Sequence, residues 1–152
     1  MTIVAVGRLR AGPEAALVAD YLGRFDRTGR PLGLGPAQVV EVEDRRGGGM
    51  AAEAALIEAA IPRGARVIAL DERGATPGSP DFAARLRGLA DEGQRDLAFL
   101  IGGADGLAPR LRGPEAISFG RMVWPHMLVR VLLAEQLYRA ATILAGSPYH
   151  RS

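Results

Sequence analysis

Short apolar runs alternate with longer stretches of helical periodicity along the whole chain. The apolar runs are rich in β-branched residues and are bounded by glycine, proline or charged residues, a pattern that indicates buried strands. Four of these predicted strands cover residues 2–6, 37–42, 66–70 and 96–101. A fifth covers residues 117–123 and is interrupted by Gly120.

The stretches between these strands carry apolar residues at helical spacing. They predict helices that start near residue 14, cover 50–61, run from Ser79 to about 91, and cover 126–144, with a short helical turn near 108–112. Ser79 is expected to cap the third helix, because Pro80 suits a first helical position. The alternation of strands and helices predicts one α/β domain over residues 1–152, with a mostly parallel sheet and helices on both faces.

Composition removes several classes of function. The 152 residues are 48% hydrophobic and 24% charged and contain no cysteine, which excludes disulfides, thiolate nucleophiles and cysteine metal sites. With two histidines and no clustered carboxylates, no metal site is expected. All nineteen basic residues are arginine, so no lysine can form a Schiff base. The net charge of +2 is too small to indicate nucleic-acid binding by itself.

The first ten residues lack the features of a signal peptide, and no apolar stretch reaches membrane-spanning length. We therefore expect a cytoplasmic protein with no membrane association.

The last third of the chain carries the strongest indication of a binding site. Ligands of open α/β sheets bind at the carboxyl ends of strands. Three predicted strand ends are candidates here, at Leu70-Asp71, at Gly102-Gly103 and at residues 122–124. The two glycines fit a tight strand-to-helix turn equally well. The dinucleotide-binding, P-loop and serine-hydrolase motifs GxGxxG, GxxxxGK[ST] and GxSxG are absent at the places where they would act.

Several long motifs resemble one family. LIGGADGL at 100–107, WPHMLVRVLLAEQLYRA at 124–140 and SPYHRS at 147–152 are similar to segments of the ribosomal RNA large-subunit methyltransferase H family, part of the SPOUT superfamily. IVAVGR at 3–8 and VIALDERG at 67–74 extend the resemblance over essentially the whole chain. Members of this family methylate N3 of a pseudouridine in large-subunit ribosomal RNA.

The resemblance implies a C-terminal trefoil knot whose loops hold S-adenosylmethionine. It also implies a homodimer in which the long C-terminal helix lies at the interface and the partner completes each site. The residues that match the cofactor loops of the family are Leu70, Gly102, Gly103, Phe119, Gly120, Arg121, Met122, Val123 and Trp124.

Methyl transfer to a ring nitrogen that carries a proton calls for a base. Because it lies in the tail that the family shares, His150 is the favoured candidate, although a contact with phosphate or solvent is nearly as plausible for it. Glu135 and His126 are the other titratable candidates. Tyr149 is suited to stacking on a base, and Arg151 and Arg130 to contacts with RNA. We also expect Arg130 or Arg139 to pair with Glu135.

Two other interpretations stay open from the sequence. The first is an RNA- or ribosome-binding protein of the same fold that has lost catalysis. The second is a flavodoxin-like nucleotide-binding domain, which the strand–helix alternation alone would allow but which leaves the C-terminal tail unexplained. Residues 43–50, EDRRGGGM, hold only two basic residues where relatives are often lysine-rich. Because the net charge of the whole chain is only +2, we expect an assembled ribosome, which supplies its own shape, to be the substrate.

Overall fold

A computed structural model describes residues 1–150 of the chain. Five strands form one sheet in which every pairing is parallel, with the order β2-β1-β4-β3-β5. The strands are β1 (Thr2–Val6), β2 (Gln38–Val42), β3 (Arg66–Ala75), β4 (Leu97–Ile101) and β5 (Ala116–Ile117). The predicted parallel α/β sheet is confirmed.

Three helices connect these strands, a fourth follows β5, and together they cover both faces of the sheet, as predicted. They are α1 (Pro13–Gly29), α2 (Gly49–Ala60), α3 (Ser79–Asp91) and α4 (His126–Leu144), and two 3-10 turns lie at Arg30–Leu32 and Pro109–Leu111. Helices α1, α3 and α4 pack on one face. Helix α2 and the second 3-10 turn pack on the other.

Strands β1 and β4 are buried on both faces because each alternates between the two hydrophobic cores. In β1, Ile3 and Ala5 face the core beneath α1, α3 and α4, whereas Val4 and Val6 face the core beneath α2. All five residues of β4 are buried as well. Complete burial of each large apolar side chain stabilises the fold by about 2 kcal/mol.

The fifth strand is much shorter than the sequence predicts. Only Ala116 and Ile117 pair with β3, and the chain then leaves the sheet. Ser118 causes this departure, because its hydroxyl donates to the carbonyl of Gly120 at 2.8 Å. Gly120 has φ of 117°, a conformation open to glycine and closed to strand formers. Residues 118–123 are therefore an irregular loop, and the predicted strand over them is wrong.

The third strand and third helix differ from expectation at their ends. β3 continues five residues past Leu70 and reaches Ala75, with a register shift against β5 between those two positions. The N-cap of α3 is Gly78, so Ser79 is the first helical residue rather than the cap. The Ser79 hydroxyl instead donates to the side-chain oxygen of Gln136 at 2.8 Å and joins α3 to α4.

Helix α4 begins and ends at the residues that its apolar periodicity predicts. One stripe of residues along this helix is buried. The buried residues recur three, four or one positions apart and pack on α1, α3 and the sheet. They are Arg130, Leu133, Ala134, Leu137, Ala140, Ala141 and Thr142. Met127 and Leu128, at the start of the helix, remain 40% and 37% exposed.

Candidate active site

A cleft of about 620 Å³ opens at the carboxyl ends of β3, β4 and β5. Three stretches of chain line it: a first segment at residues 70–73, a second at 101–107 and a third at 117–126. The three strand ends that sequence reasoning singled out therefore do meet in one place. Its volume lies within the range of about 300–1,000 Å³ that is usual for small-molecule sites.

The second segment is a turn that requires glycine at its start. A Cβ atom on Gly102 would lie 2.4 Å from the carbonyl carbon of Gly106 and 2.7 Å from the amide nitrogen of Leu107. Gly106 has φ of 77° and donates its N–H to the carbonyl of Gly103 at 3.1 Å. The backbone thus folds back on itself at van der Waals distance, which positions main-chain groups along the cleft.

The third segment leaves large apolar side chains exposed at the mouth of the cleft. Met122 is 73% exposed, Val123 84% and Trp124 40%. Pro125 then begins α4 as its N-cap, with its carbonyl accepting from Leu128 N–H at 2.9 Å. Apolar side chains with this much exposure are unusual on a monomeric surface and mark a place where a ligand or a partner covers them.

The first segment carries a charged pair on the floor of the cleft. Arg112 Nε lies 2.9 Å from Asp71 Oδ2, as an ion pair without a straight hydrogen bond, and the Asp71 side chain is only 8% exposed. Arg112 also donates to the carbonyl of Leu107 at 3.3 Å. This arginine therefore fastens the first segment to the second.

A carboxylate lies behind the glycine turn. A Cβ on Gly103 would meet the Glu53 carboxylate oxygens at 3.3 and 3.4 Å. Burial raises the pKa of Glu53 above its usual value, and the nearby Asp105 and Asp44 carboxylates act in the same direction. Asp105, which lines the cleft, and Glu53 behind the glycine turn place two carboxyl groups on this side of the cleft.

Seven of the nine residues predicted to bind the cofactor line the cleft. They are Leu70, Gly102, Gly103, Phe119, Met122, Val123 and Trp124. Gly120 instead faces a smaller hollow of about 270 Å³ beside α3, and Arg121 lines neither space. Arg112 was missed by sequence reasoning, because a lone arginine in a polar loop carries no signal. Asp71, which the sequence places directly after a buried strand at the first candidate strand end, does line the cleft.

Four residues of α4 and the tail form a second polar group, which we call the tail cluster: Glu135, Arg139, Tyr149 and His150. Arg139 donates twice to Glu135 Oε1, at 3.0 and 2.6 Å, so the expected partnership of an α4 arginine with Glu135 is confirmed for Arg139. The Tyr149 hydroxyl donates to the same oxygen at 3.0 Å. Burial and this hydrogen bond raise the pKa of Tyr149, so its hydroxyl stays a donor.

Within the tail cluster, His150 contacts Arg139: its Nδ1 atom lies 3.4 Å from Arg139 Nη1. Arginine has only donors, so Nδ1 accepts there, and the neutral ring then carries its proton on Nε2. Neither His150 nor Tyr149 lines the cleft of the same chain. His126 does line it, at the start of α4.

Arg130 corrects one prediction about RNA contacts. It is 1% exposed, and its guanidinium binds Glu41 and the main chain at the end of β1. A buried side chain in this position cannot reach an RNA phosphate, so the prediction was wrong. Arg151, the other arginine predicted to bind RNA, lies outside the described residues.

Residues 1–150 include no helix that could cross a membrane. Over the same residues, no group of three or more histidines and carboxylates is placed to hold a metal ion.

Comparisons with known proteins agree on one family. A family model described as predicted SPOUT methyltransferase matches residues 1–150. Proteins named "Ribosomal RNA large subunit methyltransferase H" from Dinoroseobacter shibae, Cereibacter sphaeroides and Ruegeria pomeroyi are 69%, 68% and 67% identical to this chain. Each alignment covers 99% of this chain and 98% of the relative.

Proposed function

The chain belongs to the SPOUT methyltransferase family, and its full-length relatives are ribosomal RNA large subunit methyltransferases H. On that premise we propose that it methylates N3 of a pseudouridine in large-subunit ribosomal RNA, with S-adenosylmethionine as the methyl donor. It acts as a single domain in the cytoplasm, with the C-terminal trefoil knot of its superfamily.

The observation that carries the proposal is the meeting of three segments in one cleft. Adenine requires apolar surfaces on its faces and hydrogen-bonding groups at its edge. Leu70, Phe119 and Val123 supply the apolar surface, and the close turn at Gly102 and Gly106 supplies main-chain groups. The acidic side near Glu53 and Asp105 suits a cationic donor better than a neutral one.

When bound, S-adenosylmethionine supplies a methyl group on a positively charged sulfur, already activated for transfer. The protein must then hold donor and acceptor in line, which can account for much of the rate. The methyl–sulfur bond would break as the new N–C bond forms, leaving a neutral thioether, and the protein must also accept the proton that leaves N3. His150 would take this proton on Nδ1, the ring nitrogen that carries no hydrogen, after Nδ1 separates from Arg139.

A homodimer explains how the tail cluster and the cleft work together. Within one chain, His150 lies outside the cleft lining. The exposed Met122, Val123 and Trp124 continue onto Met127 and Leu128 of α4, forming an apolar surface next to the cleft. A second copy that covers this surface brings its own tail to the cleft. Tyr149 then stacks on a base of the RNA, while Arg151 neutralises a phosphate.

Donor binding separates an enzyme from a catalytically silent protein of the same fold. We expect calorimetry to show binding of S-adenosylmethionine to the purified protein, with a dissociation constant of roughly 1–100 μM, as is common for metabolite sites. Absence of binding at millimolar donor would favour the silent ribosome-binding protein.

The substrate form is tested by comparing intact ribosomes with naked ribosomal RNA under the same conditions. The modest net charge of +2 gives the protein little general affinity for RNA, so we expect faster methylation of the assembled particle. Equal rates on the two substrates would contradict recognition of the assembled ribosome.

A further inference from the structure

Among residues 1–150, Arg130 is the largest side chain that is completely buried, which is unusual for a charged residue. A buried arginine is costly because its charge is removed from water, and burial indeed lowers the pKa of Arg130. Its Nε atom is buried without a hydrogen-bond partner. A methionine or leucine would fill the same space without the desolvation free energy of a buried charge. We therefore look for a role of the guanidinium other than packing.

The guanidinium binds three acceptors that belong to two neighbouring strands. It donates to the carbonyls of Val6 and Gly7 at 2.5 and 2.7 Å, and to Glu41 Oε1 at 2.9 Å. The same Glu41 oxygen accepts the Leu9 N–H at 2.8 Å. Arg130 therefore joins the carboxyl ends of β1 and β2, and the loop after β1, to helix α4.

The end of β1 is also the place where the second and third segments of the cleft are supported. A Cβ on Gly103 would meet Val6 Cγ1 at 3.1 Å, so β1 backs the glycine turn. A Cβ on Gly7 would lie 3.7 Å from His126 Nε2 and 3.8 Å from Arg130 Nη2. His126 lies one helical turn before Arg130 on the same face of α4.

Among residues 1–150, no other side-chain hydrogen bond or ion pair holds residues 126–130 of α4. Its N-cap is Pro125, which offers no side-chain cap, and the preceding residues 122–124 are exposed. Helix ends without caps open most easily. The interaction of Arg130 with β1 and β2 holds the first turn of α4 in place and, through it, the third segment of the cleft.

We infer that Arg130, held by Glu41, is a positioning residue that sets the third segment of the cleft against the glycine turn for donor binding. This inference rests on the proposed function only for the identity of the ligand. Arg130 does not itself line the cleft, and in this inference it acts through His126 and Trp124, which do.

Trp124 allows the inference to be tested without any ligand, because it is the only tryptophan of the chain and lies in the third segment. In Arg130→Met we expect red-shifted Trp124 emission and stronger quenching by acrylamide, with an unchanged far-UV circular dichroism spectrum. The dissociation constant of S-adenosylmethionine should rise roughly tenfold, since small displacements of a binding segment carry penalties of this order.

Arg85→Met is the matched control. Arg85 forms a bidentate ion pair with Glu115 at 2.8 Å for both bonds, but at the opposite edge of the sheet. The control should lose thermal stability while keeping the Trp124 emission and the donor affinity of the wild type. Both variants are measured at one protein concentration so that their oligomeric states are comparable.

Glu41→Gln keeps an oxygen acceptor for Arg130 and Leu9 but removes the negative charge. This variant provides a second test of the inference, and it replaces Arg130→Met if that variant does not fold. We expect it to raise acrylamide quenching of Trp124 and to weaken donor binding roughly threefold, less than loss of the arginine. Wild-type quenching and wild-type affinity in every folded variant would overturn the inference. Failure of the wild-type protein to bind the donor would count against the proposed function alone, because the Trp124 readout needs no donor.

Discussion

Gly102→Ala is expected to weaken S-adenosylmethionine binding roughly 100-fold, which corresponds to about 3 kcal/mol. The added methyl group would lie 2.4 Å from the carbonyl carbon of Gly106 and 2.6 Å from its oxygen. Both atoms belong to the backbone and cannot turn aside as a flexible side chain would. The glycine turn must open instead, and this moves the main-chain groups that face the cleft. Calorimetry with the donor measures the change.

Gly88→Ala is the control for this substitution. Gly88 lies within α3, and a Cβ there would meet nothing within 4 Å. Alanine in a helix interior is favoured over glycine by about 0.5–1 kcal/mol, so this variant should be slightly more stable and should bind the donor normally. Normal donor binding by Gly102→Ala would show that the turn at Gly102 does not form the donor site.

His150→Ala is expected to lower the methylation rate by about 100-fold or more while leaving donor affinity unchanged, because general-base catalysis contributes on that order. The ring lies against Arg139 in the tail cluster and outside the cleft of its own chain, so its loss should leave the cleft intact. A single-turnover rate on ribosomes, measured together with donor calorimetry, separates the two effects. An unchanged rate with intact donor binding would remove His150 as the base.

Mixed dimers test whether the tail acts across the interface. Gly102→Ala and His150→Ala chains, co-expressed in equal amounts, should assemble so that half of the dimers contain one chain of each kind. Each mixed dimer regains one of its two sites, and about a quarter of the wild-type activity should return. A co-expressed mixture as inactive as the separate variants would indicate that each chain completes its own site.

The sequence predicts most of the fold because its strands and helices differ clearly in period. Helix α4 is the clearest example, since its bounds at His126 and Leu144 follow from an uninterrupted helical pattern that begins after Trp124-Pro125. The predicted strand over residues 117–123 fails for a local reason. The apolar run suggests β-structure, but the Ser118 hydroxyl and the left-handed Gly120 turn the chain out of the sheet. Such side-chain to backbone bonds have no periodic signature.

The sequence predicts only those residues of the candidate site that directly follow a predicted strand. Leu70 and Gly102 follow from their places after buried strands, and the parallel sheet brings them together. The interaction of Arg130 with Glu41 joins residues 89 positions apart, and nothing in a helical pattern distinguishes a buried arginine from an exposed one. The sequence therefore suggested an RNA contact where the fold uses the charge internally.

Mass spectrometry of large-subunit ribosomal RNA can detect whether this protein methylates a pseudouridine in that RNA. RNA is compared from cells with the protein, cells without it, and cells without it that express the wild type or His150→Ala. We predict that one pseudouridine loses a methyl group when the protein is absent, that the wild type restores it, and that His150→Ala restores little. An identical set of methylated pseudouridines with and without the protein would show that this protein methylates no pseudouridine in large-subunit ribosomal RNA.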